Sequence, residues 1–251
     1  MSEAEKTKRW TKEAIIDLLI VIMLGVTAVT TAWASWIGSL HGGNQATNYA
    51  KSNNLASEGN SEYNAAVQQL SYDESLWNDI ADMQLTYVFA KEKDDTDMME
   101  QTAHTLLYKM QDNLTEEMAA KIDWNTDLSQ AEYDDPVGTI DAWLDKDNAM
   151  TSPFDQDFID SYFDKANELL AESQDVLEQG QKDNSNGDAF GLVSVLYSIT
   201  LFLLGIAGSF SNRKHKYAIV AISMVSFILG TIYMCTIPMP TGFSLGSFFS
   251  K

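Results

Sequence analysis

Cysteine is nearly absent from this chain: Cys235 is the single one in 251 residues. No intrachain disulfide can form, so any folded region must be held by packing alone, which excludes a small disulfide-stapled module. Histidine is almost as scarce, and His41, His104 and His215 lie far apart with no ligand-type spacing between them. A zinc site is therefore not expected. Arginine is missing from the whole stretch Gly38 to Asp188. No alternating strand pattern competes anywhere, and no phosphate loop, dinucleotide fingerprint or nucleophile elbow is present. The sequence offers no support for catalysis, for a cofactor or for nucleic-acid binding.

Three long uncharged apolar runs stand out instead: Leu18 to Ile37, Ala189 to Phe210 and Tyr217 to Ile237. A hydrocarbon core of about 30 Å takes roughly 20 helical residues to cross, and each run is long enough. The charge is segregated with equal clarity. Gly38 to Asp188 holds 32 Asp and Glu against 8 Lys, a local net charge of −24, while the remainder is neutral to basic. Basic residues flank the spans at Lys6, Lys8, Arg9 and Lys12, and again at Arg213, Lys214 and Lys216. The bias of Lys and Arg toward the cytoplasmic side predicts that both segments are internal and the acidic block external.

These features predict an all-α, three-span integral membrane protein, with its helical-bundle extracytoplasmic domain built on helices continuing from spans one and two. The expected divisions are a cytoplasmic N-terminus (1–13), span one (14–37), the acidic helical domain (38–188), span two (189–210), a basic loop (211–216), span three (217–237) and an extracytoplasmic or interfacial tail (238–251). A cleaved signal peptide ending at the Ala32-x-Ala34 pair is the alternative for the first run. Its length, and Trp33 and Trp36 as interface anchors, favour a retained span.

Within the acidic block, Tyr63, Val67, Leu70, Trp77, Ile80 and Tyr87 recur at helical spacing, with Glu74 and Gln84 in the same register. The pattern predicts a helix leaving span one, weakened or kinked near Gly59 and ending near Ala90. Asp97 reads as the N-cap of a second helix carrying Met99, Ala103, Leu106, Leu107, Met110, Leu114 and Met118 on one side. Asp123 to Pro153 breaks the rhythm, with room for a short helix at Ile140 to Leu144. A last helix carries Phe154, Phe158, Tyr162, Ala166, Leu169, Ser173 and Val176 on one face.

On that last helix Asp157, Asp160, Asp164, Glu168, Glu172, Asp175 and Glu178 form an acidic stripe. It reads either as a solvated face or as a weak cation-attracting wall around an axis of several copies. Carboxylate clusters at Asp94, Asp95 and Asp97, and at Asp155, Asp157 and Asp160, have the donor type that divalent cations take. Asp145-Lys146-Asp147-Asn148 resembles the start of a calcium loop but lacks its glycine and closing glutamate. Asp17 adjoins span one and reads as an interfacial residue. Thr27, Thr30 and Thr31 on span one, with Ser194 and Ser198 on span two, suit close helix packing or a narrow pore.

The Trp33 to Tyr49 segment, with Asn44-Gln45-Ala46 after its Trp-rich span end, resembles a group of bacterial membrane proteins that pair one N-terminal span, an outer helical segment and two C-terminal spans. The resemblance implies this layout in a bacterial plasma membrane and no particular activity. The expected partners are the lipid bilayer, further copies of the chain, another membrane or surface protein, and divalent cations. The leading expectation is a non-enzymatic, homo-oligomeric protein presenting an acidic domain for assembly or partner binding. The alternative is an oligomeric cation channel with an acidic vestibule.

Overall fold

The computed structural model describes residues 12–244; Lys6, Lys8 and Arg9, and the tail residues Leu245, Phe248 and Phe249, lie outside them. Among the described residues the chain is helical without strands. Eight helices follow in order: α1 Lys12–Glu92, α2 Thr96–Asn113, α3 Glu116–Lys121, α4 Gln130–Asp134, α5 Pro136–Leu144, α6 Gln156–Ser161, α7 Asp164–Ala207 and α8 Arg213–Thr236. Three of them, α1, α7 and α8, contain stretches long and apolar enough to cross a membrane. The chain divides into two compact units, one comprising residues up to Asn54 and from Glu172 onward, the other Leu55–Ala171.

In the first unit the apolar parts of α1, α7 and α8 pack on one another. Ala34 and Ile37 meet Phe190, Val193, Tyr197 and Ile237. Farther along, Ile20 and Met23 meet Leu204, Ala207 and Val220. Buried positions on α1 fall at Ile20, Thr27, Ala34 and His41, and on α7 at Asp183, Phe190, Tyr197 and Leu204. Both lines step by seven, the repeat that keeps one helix seam facing a partner. Hydroxyls cross between spans where the seam is polar: Ser35 with Ser194 at 3.1 Å, Thr200 donating to Ser226 at 3.1 Å, and Tyr197 with Thr231 at 3.0 Å.

The starts of α1 and α8 are neighbours. Glu13 pairs with Arg213, and Asp17 pairs with Lys216. Asp17 therefore serves as an ion-pair partner at the helix ends.

Close approach of α1 and α7 rests on small residues. A Cβ on Gly180 would stand 2.6 Å from the Tyr49 ring, whereas one on Gly43 would meet nothing within 4 Å. Ser52 and Ser173 donate to each other's backbone carbonyls, both at 2.9 Å. Replacing a helical glycine by alanine gains up to about 1 kcal/mol of helix propensity, but overpacking costs about 1–3 kcal/mol. Gly43→Ala is thus expected to raise stability in a denaturation series, and Gly180→Leu to lower it.

In the second unit the C-terminal part of α1 packs against α2, α3, α5 and α6 around Trp77, Ile80, Tyr87, Leu106, Met110 and Trp143. The helix is continuous through the weak point read at Gly59. Its Cβ position lies 2.9 Å from the Leu170 side chain, so glycine serves close packing. The tertiary contact outweighs a propensity cost of about 1 kcal/mol. The buried line on α1 in this unit runs Gly59, Ala66, Asp73, Ile80 and Tyr87, again in steps of seven, while Tyr63, Val67 and Glu74 are exposed. Trp77, Ile80 and Tyr87 are buried as the periodicity predicts, while small residues hold the earlier part of the seam.

Other boundaries also shift. Asp95 caps α2 by accepting from the Met98 amide at 3.1 Å, and Asp97 lies in the first turn. The helix ends at Asn113, and Thr115 caps α3, where Met118 resides. Asp123 to Pro153 contains two helices, α4 and α5. The capping box of Ser129 and Glu132 starts the first, and Asp135 followed by Pro136 starts the second. Proline at the first helical position begins a helix at no hydrogen-bonding cost.

Asp155 caps α6 and accepts from Lys121 at 2.6 Å. Lys121 first, and the Phe158 amide second, hold its carboxyl below the usual aspartate range. A depressed folded value gives stability that is present above the unfolded aspartate range and lost as pH falls through the folded one. Asn also caps well, so Asp155→Asn removes mainly the Lys121 attraction. The stability difference between wild type and Asp155→Asn is expected to stay constant from about pH 7 to 5 and shrink below about pH 4, read by chemical denaturation.

Candidate functional site

Two groups of polar side chains are buried enough to need an account, one in each unit. In the second unit, Asp73 is fully buried on α1. Tyr162 donates to its Oδ2 at 2.6 Å and Gln69 to its Oδ1 at 3.0 Å. Burial first, then the Asp73 carboxylate, push the Tyr162 phenol well above the ordinary tyrosine range. Tyr87 is pushed up in the same way by burial and then by Asp141, to which it donates at 2.8 Å. These carboxylates tie α1 to α6–α7 and to α5, as polar pins within the core. The nearby cavity of about 330 Å³ beside Trp124 and Trp143 is lined by Glu132 and Asp135. Both are occupied in capping α4 and α5.

The first unit holds the more unusual group. His41 and Asp183 are each 1% exposed, and His41 Nδ1 lies 2.9 Å from Asp183 Oδ1. The other carboxylate oxygen accepts from Asn48 at 3.1 Å and from Gln179 at 3.4 Å. On the far side of the ring, His41 Nε2 lies 3.1 Å from the Pro238 carbonyl, just past the end of α8. Phe190 stacks on the imidazole, ring centroids 5.8 Å apart. The site thus joins α1, α7 and the segment that follows α8.

Local sequence explains how two bulky polar groups fit there. Gly38 lies where a Cβ would stand 3.2 Å from the Phe190 Cβ, and Gly187 where one would meet the Gly38 carbonyl and His41 Cβ at 3.5 Å. The two glycines let the helices close around the ring. The segment after α8 is held by further contacts: Asn44 donates to the Thr241 carbonyl at 3.2 Å and hydroxyl at 3.1 Å. The Phe243 ring stands edge-on to Trp33 and Trp36, at 6.1 and 5.9 Å. Trp33 and Trp36 therefore form part of an aromatic cluster that seats this segment.

Asp17 and His41 are 24 residues apart on one continuous helix, about 36 Å along its axis. This exceeds a hydrocarbon thickness of about 30 Å, so the ion pairs to α8 and the His41–Asp183 site mark opposite ends of the span cluster. Chemically, the arrangement is a histidine–carboxylate pair whose second ring nitrogen is covered by a backbone carbonyl.

The residues of the acidic stripe are all exposed. Asp157 and Asp160 belong to α6, while Asp164, Glu168, Glu172, Asp175 and Glu178 belong to α7, so the stripe is not on one helix. The interruption falls at Tyr162–Phe163, where Tyr162 packs edge-on to Phe158 and reaches Asp73. Glu172 pairs with Lys51 at 2.7 Å, and Asp160 accepts from Gln156 at 2.8 Å. Among the described residues no three His, Cys, Asp or Glu side chains converge as a metal site. His104 is exposed and stacks on Tyr108, rather than facing the core.

Sequence reasoning missed the His41–Asp183 pair, treating His41 as isolated and giving Asp183 no role. Seven-residue steps from Ile20 to His41 and from Asp183 to Leu204 are the signal that could have found it. No family model, curated protein or solved structure matches the chain.

Proposed function

We propose that this is a non-enzymatic multi-pass membrane protein that assembles with further copies of itself and presents residues 38–188 outside the cell for assembly or partner binding. The observation that carries this reading is the continuity of α1 and α7, each of which runs unbroken from an apolar span into the acidic block. The paired starts of α1 and α8 support a common cytoplasmic side for the basic segments around Lys12 and Arg213 to Lys216. The covered Nε2 of His41 supports a structural role over catalysis.

The channel alternative draws on the exposed acidic stripe, which divalent cations would relieve, and on hydroxyls in the spans. Thr27, Thr200 and Ser223 are buried within one chain, however, which favours packing over pore lining.

Single-cysteine labelling tests the topology, in a Cys235→Ala background. A membrane-impermeant maleimide is expected to label Ser57→Cys in intact cells and Ser211→Cys only after lysis. The reverse pattern sinks the topology. Mass measurement in nanodiscs tests self-association, and a monomer would remove that part. Cation flux from liposomes carrying an oligomer would favour the channel.

A further inference from the structure

We infer that His41 is a proton-binding site that clasps the segment after α8 to α1 and α7, closed when the imidazole carries both protons and open when it carries one. A neutral imidazole has one N–H donor and one bare nitrogen acceptor, whereas the imidazolium donates from both. At His41 both ring nitrogens face acceptors: the Asp183 carboxylate at 2.9 Å and the Pro238 carbonyl at 3.1 Å. With Asp183 ionised, neither acceptor can donate, and the two bonds then coexist only in the cationic ring, which Asp183 balances within the buried site.

Loss of one proton forces a choice. The carboxylate is the stronger acceptor, and Asn48 and Gln179 fix its orientation. The remaining proton stays on Nδ1, and a lone pair on Nε2 then opposes the lone pairs of the Pro238 carbonyl. His41 is 1% exposed, so water has little access to its Nε2 while the segment stays seated. The relief available is outward movement of the segment beginning at Pro238. Its described contacts include the Asn44 bonds to Thr241 and the Phe243 contacts with Trp33 and Trp36.

The groups around the ring contain few charges that could blur the transition. From α7 the ring faces Asp183 and the Phe190 ring, and from the segment after α8 it faces a backbone carbonyl. Among the described residues Asp183 is the only charged side chain bonded to it. Lys51, the next charged residue along α1, is occupied by Glu172. Histidine is the side chain whose charge ordinarily changes between about pH 5 and 8, which sets the range the test covers. The inference rests on geometry within one unit and is independent of which side of a membrane that end faces.

The test uses the full chain in nanodiscs, with ¹⁵N-histidine for ring NMR and hydrogen exchange for residues 238–244, at steps from pH 5 to 9. The expected result is a His41 ring with both nitrogens protonated at low pH. Its loss of one proton should coincide with at least a tenfold rise in exchange of that segment beyond the intrinsic pH effect. Asp183→Asn is nearly isosteric, and its oxygen can accept from Asn48 and Gln179 while its amide donates to Nδ1, which leaves the Nε2 proton of a neutral ring for Pro238, so its segment is expected to exchange slowly at every pH. His41→Gln, with a fixed charge, should abolish the pH dependence. A ring holding a single proton throughout, or segment exchange that follows only the intrinsic rate in wild type, overturns the inference. So does an Asp183→Asn chain whose segment exchange tracks wild type.

Discussion

Asp183→Leu is expected to destabilise the protein by about 3–5 kcal/mol, the typical cost of removing one partner of a buried pair and stranding the other. Asp183 is 1% exposed and takes three donors, from His41, Asn48 and Gln179. Leucine accepts none of them. A neutral His41 can keep its proton on Nε2 toward Pro238, but its bare Nδ1 is then buried without a donor, and two half-buried amides lose their acceptor. Combining Asp183→Leu with His41→Phe should recover much of the loss, because apolar replacement of a whole buried pair is often neutral. Phe190 already supplies an aromatic surface for the new ring. Denaturation midpoints in detergent for wild type, the two single variants and the double variant measure this. A double variant as unstable as the sum of the singles would show that the pair is not coupled.

Trp143→Ala carries the second large effect, in the other unit. Trp143 is 2% exposed, packs edge-on to Trp124 with centroids 5.5 Å apart, and donates from Nε1 to the Ile122 carbonyl at 2.7 Å. Truncating a buried tryptophan costs about 3–5 kcal/mol, and leaving the carbonyl unpaired adds about 1–3 kcal/mol. Trp143→Phe keeps much of the packing and should lose chiefly the hydrogen bond. Hydrogen exchange over Glu116–Leu144 is the appropriate readout, since the indole ties α5 to the end of α3. Protection there unchanged in Trp143→Ala would remove Trp143 from the core.

Both variants concern residues that the sequence presented unevenly. Trp143 falls in the short helix expected at Ile140 to Leu144, and it packs that segment into the core. Its partner, the Ile122 carbonyl, had no signature at all. The three apolar runs were fully legible, as was helix throughout, because both depend on local composition and period. The buried face of α1 was legible only in its second half, where Trp77, Ile80 and Tyr87 are buried. Tyr63 and Val67 looked like core and are exposed, while Gly59, Ala66 and Asp73 form the seam there. Hydrophobicity marks what can be buried. Close helix packing selects what is small enough to be buried, and the two criteria name different residues here.

The acidic stripe teaches the same lesson about continuity. A run of favourable spacing from Asp157 to Glu178 implies one helix only if nothing local competes. Tyr162 does compete, through Phe158 and Asp73, and the helix restarts at Asp164.

Membrane-crossing capacity could be read from the chain's order alone, since bilayer thickness is a one-dimensional constraint that about twenty residues either satisfy or fail. Charge segregation is equally one-dimensional, and it carried the topology proposal before any fold was known. The clasp is different in kind. His41, Asp183 and Pro238 are separated by 142 residues in one pair and 197 in another. They meet because Gly38 and Gly187 let two helices close at one level and because α8 returns its end there. No local pattern encodes such a meeting. It follows from the register of three packed helices, which is a property of the folded chain.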